Sequence, residues 1–344
     1  MKYTLTFLFA LLIAPLSSAS TKIGDLYYNL NSENKTAEVT YYDRSSEYNK
    51  YYVSGTVVIP EKIVYRDIEY SVTEIGEKAF FYCSDLTSVE IPNSVTSIGS
   101  EAFYRSGLTS IDIPNSVTSI GEEAFSRCPA LTSLEIGNSV TSIGEEAFYN
   151  CYRLTSVIIP NSVISIGKSA FKYCYGLTSV EIGNSVTSIG EEAFHDCTDL
   201  TRVEISDLEA WCKINFLIPY LFSKLYSSNP LYCAHHLYLN GVEVTDLVIP
   251  DSVTEIGNYV FAGCSGLTSV EIPNSVTSIG EDAFYDCTGL TKVEISDLEA
   301  WCKINFPSSA NPLYYAKHLY LNGEEVKDLV IPASVTSIGN RAFL

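Results

Sequence analysis

The 344 residues carry 41 Asp and Glu against 21 Lys and Arg, a formal net charge of −20. Such an acidic surface repels phosphate backbones and anionic lipid headgroups, which excludes nucleic acid and an anionic membrane surface as natural partners. By length alone, at ~100–200 residues per domain, two domains would be allowed.

The chain opens on Met1 to Ser20, MKYTLTFLFALLIAPLSSAS. One Lys, an apolar run from Leu5 to Ala14 and the small residues Ser17-Ser18-Ala19 form a secretory signal peptide, residues 1–19, with cleavage after Ala19. The run is too short to span a bilayer, and no later segment is long and apolar enough to do so. Export to the medium or the cell surface is the expectation. The first cysteine is Cys83, so no lipid-attachment cysteine stands beside the cleavage site.

Residues 20–70 do not repeat. Leu26 to Leu30 and Ala37 to Tyr41 alternate polar and apolar like strands, and Gly55 to Pro60 reads as the first strand of a coil. This segment is expected to be a small β cap over the first open rung of the repeating body. Asn34-Lys35-Thr36 is a glycosylation sequon, relevant only in a eukaryotic host.

From residue 71 to 344 the chain is organised by repetition. Leu131 to Arg153, LTSLEIGNSVTSIGEEAFYNCYR, returns lightly edited at 108–130, 154–176, 177–199 and 267–289, and one residue short at 86–107. A fixed period of this size is the signature of a solenoid. In Leu177-x-x-Val180-x-Ile182, Val180 and Ile182 share one side of a strand while Glu181 takes the other. A Gly-Asn or Pro-Asn turn leads to Val186-x-x-Ile189, Gly190 bends the chain again, and Glu191 to Phe194 reads as one helical turn with acids at its N-terminal end. Division by 23 gives about 12 coils and, at ~4.8 Å per strand, a rod of about 60 Å.

The motif L-x-x-V-x-I-P-x-S-V-x-x-I-G-x-x-A-F-x-x-C, as in Leu267 to Cys287, resembles the leucine-rich repeat, and within it the BspA-like surface proteins. The resemblance covers roughly residues 54–344. It implies an α/β repeat protein: a right-handed leucine-rich-repeat solenoid, mostly β, of short parallel strands and single helical turns. It also implies a secreted or surface-exposed protein of adhesin type, whose partners are extracellular proteins such as host matrix or another cell's surface. No catalytic residues and no cofactors come with the family.

Clean coils occupy 71–199 and 259–289, and between and after them lie two variant blocks, 200–258 and 290–340. Leu200 to Phe216 and Leu290 to Phe306 are identical except for Arg202 against Lys292. In each block a tryptophan, Trp211 or Trp301, takes over the interior, and Leu237 to Gly241 or Leu319 to Gly323 reads as a strand entering an Asn-Gly hairpin turn. The connections differ: Leu217 to Ser228 is 12 residues, whereas Pro307 to Ala310 is four. Seven of the longer connection's residues, Leu217, Ile218, Tyr220, Leu221, Phe222, Leu225 and Tyr226, form a candidate apolar patch, either folded back on the solenoid or presented to a partner. The chain stops inside a repeat with no capping pattern, which supports a self-associating, purely structural protein as the second reading.

Ten cysteines in an exported chain suggest disulfides, but seven of them (Cys83, Cys128, Cys151, Cys174, Cys197, Cys264, Cys287) hold one position of the coil, three residues after Phe. Ser106 takes that place once, and Ala234 and Ala316 take it in the variant blocks, so the position selects for small size and a buried, reduced thiol. A spacing of 23 residues without histidine does not make a zinc site. The four histidines, His195, His235, His236 and His318, sit in no metalloprotease motif and beside no nucleophile, so an enzyme is the third and weakest reading.

Two surfaces could bind. The outward position of the first strand is a column of acids, Glu90, Asp112, Glu135, Glu181, Glu204, Glu271 and Glu294, interrupted by Ile158, Val248 and Val330. Stacked carboxylates repel; they serve either as a solvated, solubilising face or as a ribbon for basic partners. The turn flanking each cysteine varies most and is rich in Tyr and Arg (Tyr104-Arg105, Tyr149-Asn150, Tyr152-Arg153), which are good contact residues when they share a ridge, while unconstrained loop drift explains the same variation.

Overall fold

A computed structural model describes residues 20–41, 53–217, 228–307 and 309–343. Among them the chain winds as a mostly β solenoid of about ten stacked coils. The count falls below twelve because the two Asn-Gly hairpins take up residues that a division by 23 assigns to coils.

Each clean coil has three sides. On the first, strands pair in parallel and in register: Ser156 with Ser179, Val157 with Val180, Ile158 with Glu181, Ile159 with Ile182. Val180 and Ile182 point inward and are buried, and Glu181 points out and is exposed. On the second side the two-residue strands Ser97–Ile98, Ser119–Ile120, Ser142–Ile143, Ser165–Ile166 and Ser188–Ile189 stack into a continuous sheet. Threonine hydroxyls reinforce both sides, as Thr141 Oγ1 donates to the Thr118 carbonyl at 3.1 Å and Thr178 Oγ1 to Thr155 at 2.9 Å.

The third side corrects the expected helical turn. Glu191 to Phe194 is a run of tight turns, not a helix. Glu192 and Asp196 have φ of 56° and 57°, in the left-handed region, which interrupts any helix. Alternate amides then face the neighbouring coil: the Ser169, Phe171 and Tyr173 N–H groups donate to the Glu191, Ala193 and His195 carbonyls at 2.8–2.9 Å. A helix would have kept those donors within its own turn; here they form a third intercoil ladder. Behind it the phenylalanines stack face to face, with centroids 5.0–5.3 Å apart, through Phe80, Phe103, Phe125, Phe148, Phe171 and Phe194. Each ring is fully buried, a contribution of about 2–3 kcal/mol apiece.

The coils approach closely at the glycine after the second strand. A Cβ on Gly144 would lie 2.5 Å from the Gly121 carbonyl carbon and 2.7 Å from the Glu122 nitrogen, so no side chain fits there.

The N-terminal strands Thr21–Ile23, Leu26–Asn31 and Thr36–Thr40 form an antiparallel meander, and its last strand pairs in parallel with Ile68–Ile75. The meander thereby extends the second-side sheet. Gly55–Val58 instead pairs with Leu86–Glu90 and begins the first-side sheet.

Among the described residues helices are confined to the variant blocks: α1 (Leu208–Cys212), α2 (Leu231–Ala234), α3 (Leu298–Lys303) and α4 (Leu313–Ala316). Asp207 and Asp297 cap α1 and α3 by accepting from Ala210 N and Ala300 N. The tryptophans fill the interior as expected; Trp211 Nε1 donates to the Val260 carbonyl at 3.1 Å and Trp301 Nε1 to that of Ala342 at 2.9 Å. Both hairpins are present. Leu237–Leu239 turns back into Val242–Glu243 through Asn240 and Gly241, with φ of 51° and 84°. Leu319–Leu321 and Glu324–Glu325 repeat this through Asn322 and Gly323. Positive φ at both central residues is what an Asn-Gly hairpin requires.

Candidate binding face

The first-side sheet places the acidic column on one outward surface but divides it. Asp112 and Glu135 stand directly opposite each other, with Glu90 on the strand before, and Ile158 ends this run. Glu181 opposes Glu204, and Glu271 opposes Glu294 after the break at Val248. Glu90, Asp112, Glu135, Glu181 and Glu271 are exposed. None of the five makes a side-chain hydrogen bond or a salt bridge among the described residues.

Glu204 and Glu294 behave differently from the rest of the column. Glu204 Oε1 accepts from the Gly241 N–H at 2.6 Å, and Oε2 accepts from Arg202 at 2.5 Å. Glu294 repeats this with Gly323 N at 2.6 Å and Lys292 Nζ at 2.8 Å. The Glu294 carboxylate, by its hydrogen bond, holds the Lys292 ammonium above its usual range. Each cation also lies over the next strand's tyrosine, Arg202 at 3.7 Å from the Tyr238 centroid and Lys292 at 4.6 Å from that of Tyr320. These two carboxylates are therefore hairpin anchors first. The sequence signal was present in the Arg202/Lys292 exchange, which keeps charge while losing identity, but nothing in one strand shows that a glycine 37 residues on will reach its carboxylate.

The turn side gathers the variable residues into one ridge. Phe81 stacks on Tyr104 at 5.1 Å, Arg105 lies 5.1 Å over Tyr82, Arg127 lies 5.4 Å over Tyr149, and Tyr149 meets Tyr173 edge-on at 5.3 Å. Tyr173 continues to Tyr175 at 5.8 Å. These contacts form two aromatic and cationic clusters, one of Phe81, Tyr82, Tyr104 and Arg105 and one of Arg127, Tyr149, Tyr173 and Tyr175, brought together because left-handed residues such as Arg105, Arg127 and Tyr173 recur at the same place in each coil.

Of the candidate apolar patch, Leu217 is described and 44% exposed. Ile218, Tyr220, Leu221, Phe222, Leu225 and Tyr226 lie outside the described residues.

The cysteine column is interior. Cys151, Cys174, Cys197 and Cys287 are fully buried, and their thiols donate to the carbonyls of Phe125, Phe148, Phe171 and Phe261 at 3.1–3.3 Å. This position thus selects for a small donor and not for size alone. In the first variant block Cys233, not Ala234, reaches the matching Phe194 carbonyl, at 3.6 Å. Burial pushes the Cys174, Cys212 and Cys264 thiols up to about 12. His236 and His318 occupy equivalent places, each with Nδ1 2.6 Å from a hairpin glutamate, Glu243 or Glu325. Among the described residues no three His, Cys, Asp or Glu side chains are grouped to hold a metal ion, and no helix is long and apolar enough to cross a membrane.

Similar chains occur among solved structures. A leucine-rich repeat protein from Bacteroides ovatus is 25% identical over 84% of this chain and 89% of its own, with a TM-score of 0.39. A leucine rich cell surface protein from Faecalibacterium prausnitzii is 24% identical over 87% of this chain and 100% of its own, with a TM-score of 0.33. The pneumococcal vaccine antigen PcpA is 17% identical over 92% and 100%, with a TM-score of 0.39. No curated protein matches the chain. The model of the BspA type leucine rich repeat region matches six copies, over residues 60–177, 118–223 and 234–344. The chain belongs to the BspA type leucine rich repeat family.

Proposed function

We propose that the protein is a secreted or cell-surface binding protein that recognises an extracellular protein partner through the outward face of its first-side sheet. The observation that carries this reading is the set of exposed carboxylates held in register without a salt bridge or side-chain hydrogen bond among the described residues, Asp112 opposite Glu135 above all. Unpaired like charges at strand spacing destabilise the sheet, and a basic partner relieves that repulsion. The family and a neighbour described as a cell surface protein support the location. The test is binding to immobilised, purified matrix and serum proteins by the native chain and by a variant with Glu90, Asp112, Glu135 and Glu181 reversed to Lys. Binding should weaken with salt and disappear in the variant while folding is kept. Binding that ignores both changes places the site elsewhere.

Self-association is the second reading, and the turn ridge favours it. Arg105, Arg127 and Arg153 lie on a side of the coil distinct from the acids, so one copy's ridge can lie against another's strand face. A sizing run across protein and salt concentration separates the two readings, because a self-associating chain shifts to larger species at low salt without any added ligand.

A further inference from the structure

Each hairpin closes one side of a groove on the first-side sheet. In the first groove, about 470 Å³, Ile158 stands at one end, Glu181 in the middle, and Arg202, Glu204 and Asn240 at the other. In the second, about 490 Å³, the same places are held by Val248, Glu271, Lys292, Glu294 and Asn322. The register is also the same: Ile158–Glu181–Glu204 and Val248–Glu271–Glu294 each run across three neighbouring strands.

The chemistry of the groove selects its occupant. Glu204 and Glu294 are already used by a hairpin amide and a cation, whereas Glu181 and Glu271 are exposed without a salt bridge or side-chain hydrogen bond among the described residues. Ile158 and Val248, one strand away at ~4.8 Å, are 61% and 57% exposed. A carboxylate beside an exposed aliphatic side chain fits a lysine or arginine, whose stem lies on the apolar residue while its head meets the acid. Ser179 and the hairpin asparagine offer hydrogen bonds to the backbone of such a segment, and Ser269, whose hydroxyl donates to Asp246 at the edge of the second groove, can still accept one. An anion is repelled by the same carboxylate. A neutral sugar would need an open aromatic face, and Tyr238 and Tyr320 are covered by Arg202 and Lys292. The Ile158 wall does not come from the duplicated blocks. Its coil belongs to the clean series, in which the strands at 86, 108, 131, 177 and 267 all present an acid at this place.

We propose that the chain carries two equivalent sites, each taking a basic side chain of an extended basic–apolar peptide, so that one molecule grips a partner with repeated basic segments at two points. This rests on the first-side sheet being the binding face. The grooves lie three to five strand spacings apart, roughly 15–25 Å at ~4.8 Å each, which a short flexible linker spans.

The experiment uses the full chain with the probe acetyl-Val-Lys-Val-Lys-Val-amide and a tandem version joined by a Gly-Ser linker, followed by titration calorimetry. Two peptides should bind per chain. Glu181→Lys and Glu271→Lys should each leave one site, and the double variant should weaken binding at least tenfold. The tandem probe should bind native chain at least ten- to a hundredfold tighter than the single one, an advantage lost in either single variant. Ser133→Lys, an exposed non-acidic position on the same face but outside both grooves, should keep the stoichiometry of two. Melting curves confirm folding, with the Gln substitutions used where a Lys variant melts early. A stoichiometry other than two, or equal weakening by Ser133→Lys, overturns the grooves. If the fourfold reversal under Proposed function still abolishes partner binding, that reading survives their loss; if partner binding ignores the reversal and the probe does not bind, both fall.

Discussion

Glu204 accepts a 2.6 Å hydrogen bond from the Gly241 backbone N–H, 37 residues further along the chain. Glu135 occupies the equivalent place in its own coil and faces Asp112 across the strand gap. One sequence position therefore carries two opposite energetic roles. Glu135→Gln should raise stability by about 0.2–1 kcal/mol by removing like-charge repulsion. Glu204→Gln should lower it by about 1.5–3 kcal/mol, since a charged acceptor is lost from the hairpin. Urea unfolding of the two variants checks the signs, and equal signs would show that the hairpin contact contributes nothing.

The Cys151 thiol donates to the Phe125 carbonyl at 3.1 Å inside the column. Cys151→Ser should be tolerated best, because Ser106 already holds this place in another coil. Cys151→Ala loses the donor and should cost about 1 kcal/mol. Cys151→Leu overfills the column and should cost about 1–3 kcal/mol. Melting temperatures in the order Ser, Ala, Leu check this. A Leu variant as stable as the native chain would refute tight packing here.

The same thiols make stability depend on alkaline pH. Burial raises Cys174, Cys212 and Cys264 from an ordinary 9.0 to about 12. Below pH 9 both folded and unfolded chains keep these protons, so the stability they confer is whole. Between pH 9 and 12 only the unfolded chain releases them, and stability falls as pH rises. At pH 10 the loss should be about 1.4 kcal/mol per thiol. Denaturant midpoints at pH 8 and 10 measure it, and Cys174→Ser should flatten the slope.

Gly144→Ala should destabilise by about 1–3 kcal/mol or more, because the new methyl would meet backbone atoms of Gly121 at 2.5–2.6 Å. Backbone in the adjacent coil cannot rotate aside as a side chain can. A melting curve unchanged from the native chain would mean that the coils separate freely at this corner.

Replacing Leu217 to Ser228 with Pro-Ser-Ser-Ala should leave a folded protein. The residues on either side make the same contacts in both blocks. Phe216 and Phe306 are buried, Asn229 Nδ2 donates to the Val260 carbonyl at 3.0 Å, and Asn311 Nδ2 to that of Ala342 at 3.1 Å. The sister block already joins these anchors with four residues. Circular dichroism and a sizing run check the outcome; a chain that no longer folds would make the long connection part of the core.

The solenoid, the inward Val and Ile, the small cysteine column and both Asn-Gly hairpins could be read from one sequence, because each rests on local rules repeated every 23 residues. A residue inward in one coil is inward in the next, and an Asn-Gly pair between alternating residues leaves the backbone one favourable turn. Glu191 to Phe194 misled for the complementary reason. Its letters suit a helix, and only stacking sets its carbonyls against the alternate amides of the neighbouring coil. The seven acids likewise look equivalent as a column. Tertiary structure alone decided that Glu204 and Glu294 are anchors and that Glu181 and Glu271 are left open beside Ile158 and Val248. Those roles depend on where a hairpin one coil later comes to rest, and no local preference of the chain encodes that distance.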